Sequence, residues 1–156
     1  MRHIYNLAFI FFMIIPQLSL AEIINNSESN PREAEAVKIA NDWLNIVESG
    51  DDKQSFSMLP PIFQQNLTQD TWRESVLDRN AKTGKLISRK LRRVVWYDNP
   101  ANAPLPGLYA AVEFDSLFEN TDKHFQFVIL HSQNDEAFKV IRNEADVALK
   151  NTPPKK

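Results

Sequence analysis

The stretch from Leu86 to Ile141 constrains this chain more than any other. It holds four runs rich in β-branched and aromatic residues, Leu86–Tyr97, Leu108–Phe118, His124–His131 and Ala137–Ile141, separated by turn-forming residues. Strands that follow one another through short connections pair as antiparallel neighbours. The longest connection, Asp98–Gly107, carries Pro100, Pro104 and the pair Pro106-Gly107. That pair is a turn signature requiring positive φ at Gly107.

The chain before this stretch divides in two. Met1–Ala21 reads as a cleavable signal peptide. Arg2 and His3 form the positive start, Ile4–Ile15 an apolar core too short to span a bilayer, and Ser19-Leu20-Ala21 the small-residue cleavage pattern. No cysteine follows that core, so lipid attachment there is excluded. Glu22–Ser29 is a polar, flexible lead-in. From Asn30 the pattern turns helical. Asn30-Pro31-Arg32-Glu33 is a helix start, and Ala36, Val37, Ala40, Trp43, Leu44 and Val47 follow at helical spacing to a left-handed cap at Gly50. The spacing predicts a helix over Pro31–Ser49, with Trp43 in the core. A short helix over Asp52–Met58 ends before Pro60-Pro61, and Ile62 and Phe63 are expected to plug the sheet. Thr68 caps a further helix that Gly84 ends. Its apolar stripe is expected at Trp72, Val76 and Leu77, with Arg73 and Arg79 on its other face. Asn151–Lys156 reads as a loose tail, so residues 30–149 form one α+β domain and 150–156 lie outside it.

Charge sets the expected register of the first two strands. If Tyr97 lies opposite Leu108, Arg92 faces Glu113 and Lys90 faces Asp115, and opposite charges across a ladder are mildly stabilising. Lys90, Arg92, Val94 and Trp96 then share the outward face with Asp115, Glu113, Ala111 and Tyr109. Ile87, Leu91, Val95 and Tyr97 share the helix-facing side with Phe118, Phe114, Ala110 and Leu108. Phe125, Phe127, Ile129 and His131 join that side with Phe118 opposite Phe125, and Phe138 and Val140 follow. Helices laid over one face of an antiparallel, curved sheet make an α+β sandwich.

Three misfits are expected on the apolar side: Arg89, Arg93 and His131, with Ser116 opposite Arg89. A charge facing a core is costly unless paired or wet. Arg89, Arg93, Ser116 and His131 are therefore the candidate ligand-binding residues, with cationic donors suited to an anionic group. The competing reading pairs the arginines with helix carboxylates such as Glu33, Glu35 or Asp42. Trp96 and Tyr109, side by side on the outward face, are the candidate interaction surface. A catalytic variant would use His131 as general base with Arg93 holding an oxyanion; no catalytic set is assigned.

Composition excludes several classes. Formal net charge is −2, and −3 once Arg2 leaves with the signal, so no overall basic field points to nucleic acid or an anionic membrane. His124 and His131 are scattered, so no metal site is expected. With only 3 glycines there is no phosphate-binding loop, and no cofactor is expected. The chain has no cysteine, so an exported form must rely on a packed core, as a periplasmic domain does.

Trp43-Leu44, Trp72 followed by Arg79, Gly84 and Arg89, then Leu105-Pro106-Gly107-Leu108-Tyr109 and Phe118 resemble a bacterial family of small exported proteins known as a domain of unknown function. At the closing motif the sequence departs from the family. Phe138-Lys139-Val140 stands for W-x-V, and Arg142-Asn143 for G-Y. The resemblance implies a cystatin-like or nuclear-transport-factor-like α+β cone and no particular reaction.

The expected function is that of an exported, periplasmic or secreted, non-catalytic binding domain for a small anionic ligand or a protein partner, free of the membrane after cleavage. The exported protein is expected to begin at Glu22. N-terminal sequencing of that form checks this, and an intact Met1 would overturn it.

Overall fold

The computed structural model describes residues 30–149, and the expected signal, lead-in and tail lie outside the described residues. Four helices precede four strands: α1 (Glu33–Ser49), α2 (Asp52–Ser57), α3 (Pro61–Gln64), α4 (Gln69–Thr83), β1 (Leu86–Asp98), β2 (Leu108–Phe118), β3 (Thr121–Ser132) and β4 (Lys139–Leu149). The strands form one antiparallel sheet in the order β1-β2-β3-β4, with the helices on one face. This is the α+β class expected.

Local chemistry sets the helix ends. The Asn30 side chain accepts from the Arg32 amide at 2.9 Å, so Asn30-Pro31 form the turn into α1 and the helix starts at Glu33, two residues later than expected. Gly50 adopts φ 83° and its amide reaches back to the last turn of α1. Asp51 caps α2 through the Gln54 amide, and Thr68 caps α4 through the Thr71 amide.

The core lies between α1, α4 and the inward face of the sheet. Ala36, Ala40, Trp43, Leu44 and Val47 of α1 meet Ala110, Val112, Phe114, Val128, Leu130, Phe138 and Val140. Trp43 and Trp72 pack at 5.9 Å between ring centroids. Both indoles end on Ser55 of α2: Trp43 Nε1 donates to its carbonyl at 3.3 Å and Trp72 Nε1 to its hydroxyl at 2.8 Å. One buried serine thus serves both donors; an apolar residue there would keep the carbonyl for Trp43 but remove the hydroxyl that accepts from Trp72. Phe63 is buried as expected, whereas Ile62 reaches solvent.

Two odd-numbered offsets correct the expected faces. Arg89, Lys90 and Leu91 pair with Ser116, Asp115 and Phe114 as expected. An irregularity between Leu91 and Arg93 then inserts one residue, so Arg93, not Arg92, stands opposite Glu113, and Tyr97 stands opposite Tyr109 rather than Leu108. Beyond the bulge the side chains exchange faces. Val94 and Trp96 pack against the core, while Arg93, Val95 and Tyr97 point outward. Arg92 also lies outward, its guanidinium 5.3 Å from the Phe125 ring. Ile87 and Leu91, expected to be covered, are 58% and 45% exposed at the sheet edge.

The second offset is at the β2–β3 turn. Only Glu119-Asn120 separate the strands, and the Phe118 amide donates to Thr121 Oγ1 at 3.0 Å. Asp115, not Phe118, lies opposite Phe125. That three-residue difference turns Phe125, Phe127, Ile129 and His131 outward and Gln126, Val128 and Leu130 inward. Both sets are apolar enough to be a core face, so alternation alone did not choose between them. Phe138 and Val140 are in the core as expected, but β4 runs to Leu149, well past Ile141.

The Asp98–Gly107 connection closes over one end of the outward face. Gly107 has the positive φ the Pro-Gly pair demands, 133°, and a Cβ there would lie 2.4 Å from the Ser132 carbonyl oxygen. Backbone cannot yield as a side chain would. Gly107→Ala is therefore expected to destabilise by about 2 kcal/mol or more. Urea unfolding checks this; an unchanged midpoint would show that the loop does not press on Ser132.

Candidate functional site

The four expected ligand-binding residues do not converge; they divide into an inward pair, Arg89 and Ser116, and an outward pair, Arg93 and His131. The inward pair belongs to a charged cluster at one end of the core. Glu48, at the end of α1, continues the i, i+4 ladder of Ala36, Ala40 and Leu44. Arg79 occupies the buried stripe of α4 with Trp72, Val76 and Thr83. This corrects the expectation that Arg79 lies on the helix's other face: Leu77, assigned to the stripe, is 56% exposed. Arg73 does lie outside, 3.4 Å from Asp70.

One carboxylate oxygen gathers the cluster. Glu48 Oε1 accepts from Arg89 Nη2, from Arg79 Nη2 at 3.3 Å and from Gln126 Nε2 at 3.3 Å. Arg89 also donates to Asn45 Oδ1 at 3.0 Å and to Gln126 Oε1 at 3.3 Å, and Ser116 donates to Gln126 Oε1 at 2.6 Å. Asn80 donates to the Val47 carbonyl at 2.8 Å. The side chains of Arg79, Arg89 and Glu48 are only 3%, 6% and 11% exposed. Two guanidiniums sharing one carboxylate leave the cluster with a formal excess of one positive charge. Burial pushes the Arg79 pKa below the ordinary arginine value; the charge and hydrogen bond of Glu48 oppose this, and the like charge of Arg89 adds to it. The Phe118 and Phe114 rings, 5.7 and 5.8 Å from the two guanidinium carbons, supply some of the missing negative potential.

The outward pair is four residues apart along the strands and two strands apart across the sheet, roughly 16 Å. Arg93 and Glu113 form a forked pair, Nε to Oε2 at 2.6 Å and Nη2 to Oε1 at 3.0 Å, with Arg93 itself 63% exposed. The hydrogen bonds and charge of Glu113 raise the Arg93 pKa above its ordinary value. His131 is buried by the Asp98–Gly107 connection, its ring 4.8 Å from that of Tyr109 and its Nε2 2.9 Å from the Pro106 carbonyl oxygen. A carbonyl only accepts, so Nε2 carries the proton and is not free to take one. The Tyr109 hydroxyl donates to the Leu105 carbonyl at 2.7 Å, and burial raises its pKa.

Trp96 and Tyr109, the expected interaction pair, lie on opposite faces. Trp96 is turned inward by the bulge, 6.0 Å from Phe138, and its buried indole N–H has no hydrogen-bond partner among the described residues. Tyr109 faces outward but is covered by the loop.

Sequence reasoning missed Glu48, Gln126 and Arg79. Each carried a signal: a polar residue at a core position of an otherwise apolar periodicity. It also missed the open outward surface of β1, where Lys90, Arg92 and Arg93 stand beside the half-buried Phe125 and Phe127. Neither Lys90 nor Arg92 has a carboxylate within ion-pair distance among the described residues.

The buried and exposed arginines are expected to respond differently to the same change. Arg89→Leu leaves Glu48 with Arg79 but removes the Arg89 hydrogen bonds to Glu48, Asn45 and Gln126 from a nearly dry site, and should cost about 3 kcal/mol. Arg93→Leu takes away the exposed partner of Glu113, whose side chain is 12% exposed and can turn to the solvent that reaches Arg93, and should cost less, about 1 kcal/mol. Denaturant melts of the two variants check this; equal losses would contradict the assignment of faces.

Among the described residues, no group of potential ligands converges on a metal position and no helix is long and apolar enough to cross a membrane. A family model described as Protein of unknown function (DUF4019) matches residues 39–142. The match spans every residue from Trp43 to Phe118 that carries the sequence resemblance. No curated protein and no solved structure matches the chain.

Proposed function

Because the chain belongs to the DUF4019 family, whose description names no activity, we propose its function from its own surface: a small, exported, non-catalytic domain that binds a negatively charged partner at β1. The observation that carries this reading is the bulge between Leu91 and Arg93. It turns Arg92 and Arg93 to the same face, where Lys90 already stands, and only Arg93 is neutralised by a bonded carboxylate. Three cations on β1 against the two carboxylates Glu113 and Asp115 on β2, set beside aromatic rings, suit an anionic partner with apolar side chains. Export, and with it a working place in the periplasm or outside the cell, is read from the sequence pattern of Met1–Ala21.

The residues that carry the family resemblance argue the same way. Trp43, Trp72, Arg79, Arg89 and Phe118 are spent on the core and the Glu48 cluster, and Tyr109 on fixing a loop. They hold the fold and leave binding to other positions. The catalytic variant lacks support, since His131 and Arg93 are far apart and Nε2 of His131 is engaged.

A second reading places a small anion at Arg79 and Arg89. The excess positive charge of that cluster favours it.

Melting curves with added polyglutamate and with inorganic phosphate separate the readings. A ligand at a hundredfold excess over its Kd should stabilise by about 2.7 kcal/mol. A rise in Tm with polyglutamate that Lys90→Glu and Arg92→Glu together abolish is expected. A rise with phosphate that survives both changes selects the buried cluster, and no rise with either probe refutes both.

A further inference from the structure

We infer that the free edge of β1 takes up an extended acidic segment of a partner protein as a fifth strand. This deepens the proposed binding role and rests on it. Among the described residues no strand lies beyond β1, so alternate backbone N–H and C=O groups along Leu86–Asp98 face away from β2. The first turns of α1 do not close over that edge. Between them and Leu91 lies a groove of about 590 Å³, lined by the apolar Pro31, Ala34, Val37 and Leu91 and by the polar Asn30, Glu33 and Lys38. Leu91 shares the inward side of the sheet with its cross-strand partner Phe114, yet remains 45% exposed.

The alternation of β1 specifies the guest. Lys90 and Arg92 point outward and Leu91 points into the groove. A strand laid against them has its own outward residues beside two cations and its inward residues against Leu91, with Ala34 and Val37 across the groove and Glu33 set against any acidic side chain there. The matching segment alternates acidic and apolar side chains.

The same features argue against a second copy as the guest. A bulge and a row of cations protect an edge from its own kind. Two β1 strands side by side would juxtapose Lys90, Arg92 and Arg93 with the same residues, and like charges across a ladder are repulsive. What repels a copy attracts a strand of opposite sign, which is how one edge gains specificity.

The test uses the mature chain and a nine-residue peptide alternating glutamate and valine, with three controls. One replaces glutamate by lysine. The other two are methylated on the backbone nitrogens of one or the other alternate set of residues, which removes N–H donors while keeping charge and side chains. Binding is read by fluorescence anisotropy and by amide hydrogen exchange. The acidic peptide is expected to bind and to slow exchange within Leu86–Arg93. The basic peptide and one N-methylated peptide should bind at least about tenfold more weakly, and the other N-methylated peptide should bind like the parent. Equal binding of both N-methylated peptides would show attraction by charge alone and overturn strand addition. Protection elsewhere, or a dimer whose interface protects β1, would overturn it too. If the peptide fails while polyglutamate still raises Tm, the fifth strand is refuted and the wider binding role stands; if both fail, both are refuted.

Discussion

The single carboxylate of Glu48 is the point on which the helical layer and the sheet depend together. It stands at the end of α1 and receives Arg79 from α4, Arg89 from β1 and Gln126 from β3. Hydrophobic burial is non-directional and would tolerate several ways of laying two helices on a sheet. A charge-assisted cluster tolerates far fewer, because a misplaced arginine in a dry site is costly. Apolar contacts of α1 and α4 supply most of the favourable energy, and the cluster fixes where those helices sit. At the other end Arg32 plays a related part. It donates to Ser132 Oγ at 2.9 Å and to the Glu136 carbonyl at 2.7 Å, with its guanidinium 4.1 Å above the Phe138 ring. The two ends of α1 are thus tied to the sheet by arginine chemistry.

The bulge in β1 divides that strand into two surfaces of different character. Before it, Arg89 points into the core and shares Glu48 with Arg79. After it, Val94 and Trp96 take the inward positions and Arg93 moves out to Glu113. Without the extra residue, Arg93 would join Arg89 on the inward side and Trp96 would be bare. A single inserted residue therefore keeps a third guanidinium out of the core and brings an indole into it.

Much of this architecture was legible in the amino-acid sequence. Helix α1, its glycine cap, the order and direction of the strands, and the left-handed Gly107 all follow from local chemistry that tertiary packing did not override. The failures share one origin. A strand's side chains alternate with period two, so any error of one or three residues in pairing inverts every face beyond it. The bulge at Arg92 and the tight Glu119-Asn120 turn each introduced such an error. Strand β3 offered no internal correction, because Phe125, Phe127 and Ile129 on one side rival Val128 and Leu130 on the other. The candidate site failed with the faces: Arg89 and Ser116 were placed on the helix side correctly, Arg93 and His131 were not. Arg79 escapes notice because a charged residue at a helical core position reads as evidence for the solvent side, and Glu48 because its partners lie on distant elements.

The span of the Glu48 cluster also orders events as the chain folds. Glu48 and Gln126 are 78 residues apart, while β1, β2, β3 and β4 join through successive hairpins. Contacts distant in sequence close slowly because loop entropy is lost before they form, whereas neighbouring strands can pair early. Helix α1 is made before every strand of the sheet, yet its carboxylate has no complete set of partners until the third strand exists. During synthesis the apolar stripe of α1 therefore waits uncovered for the strands that bury it.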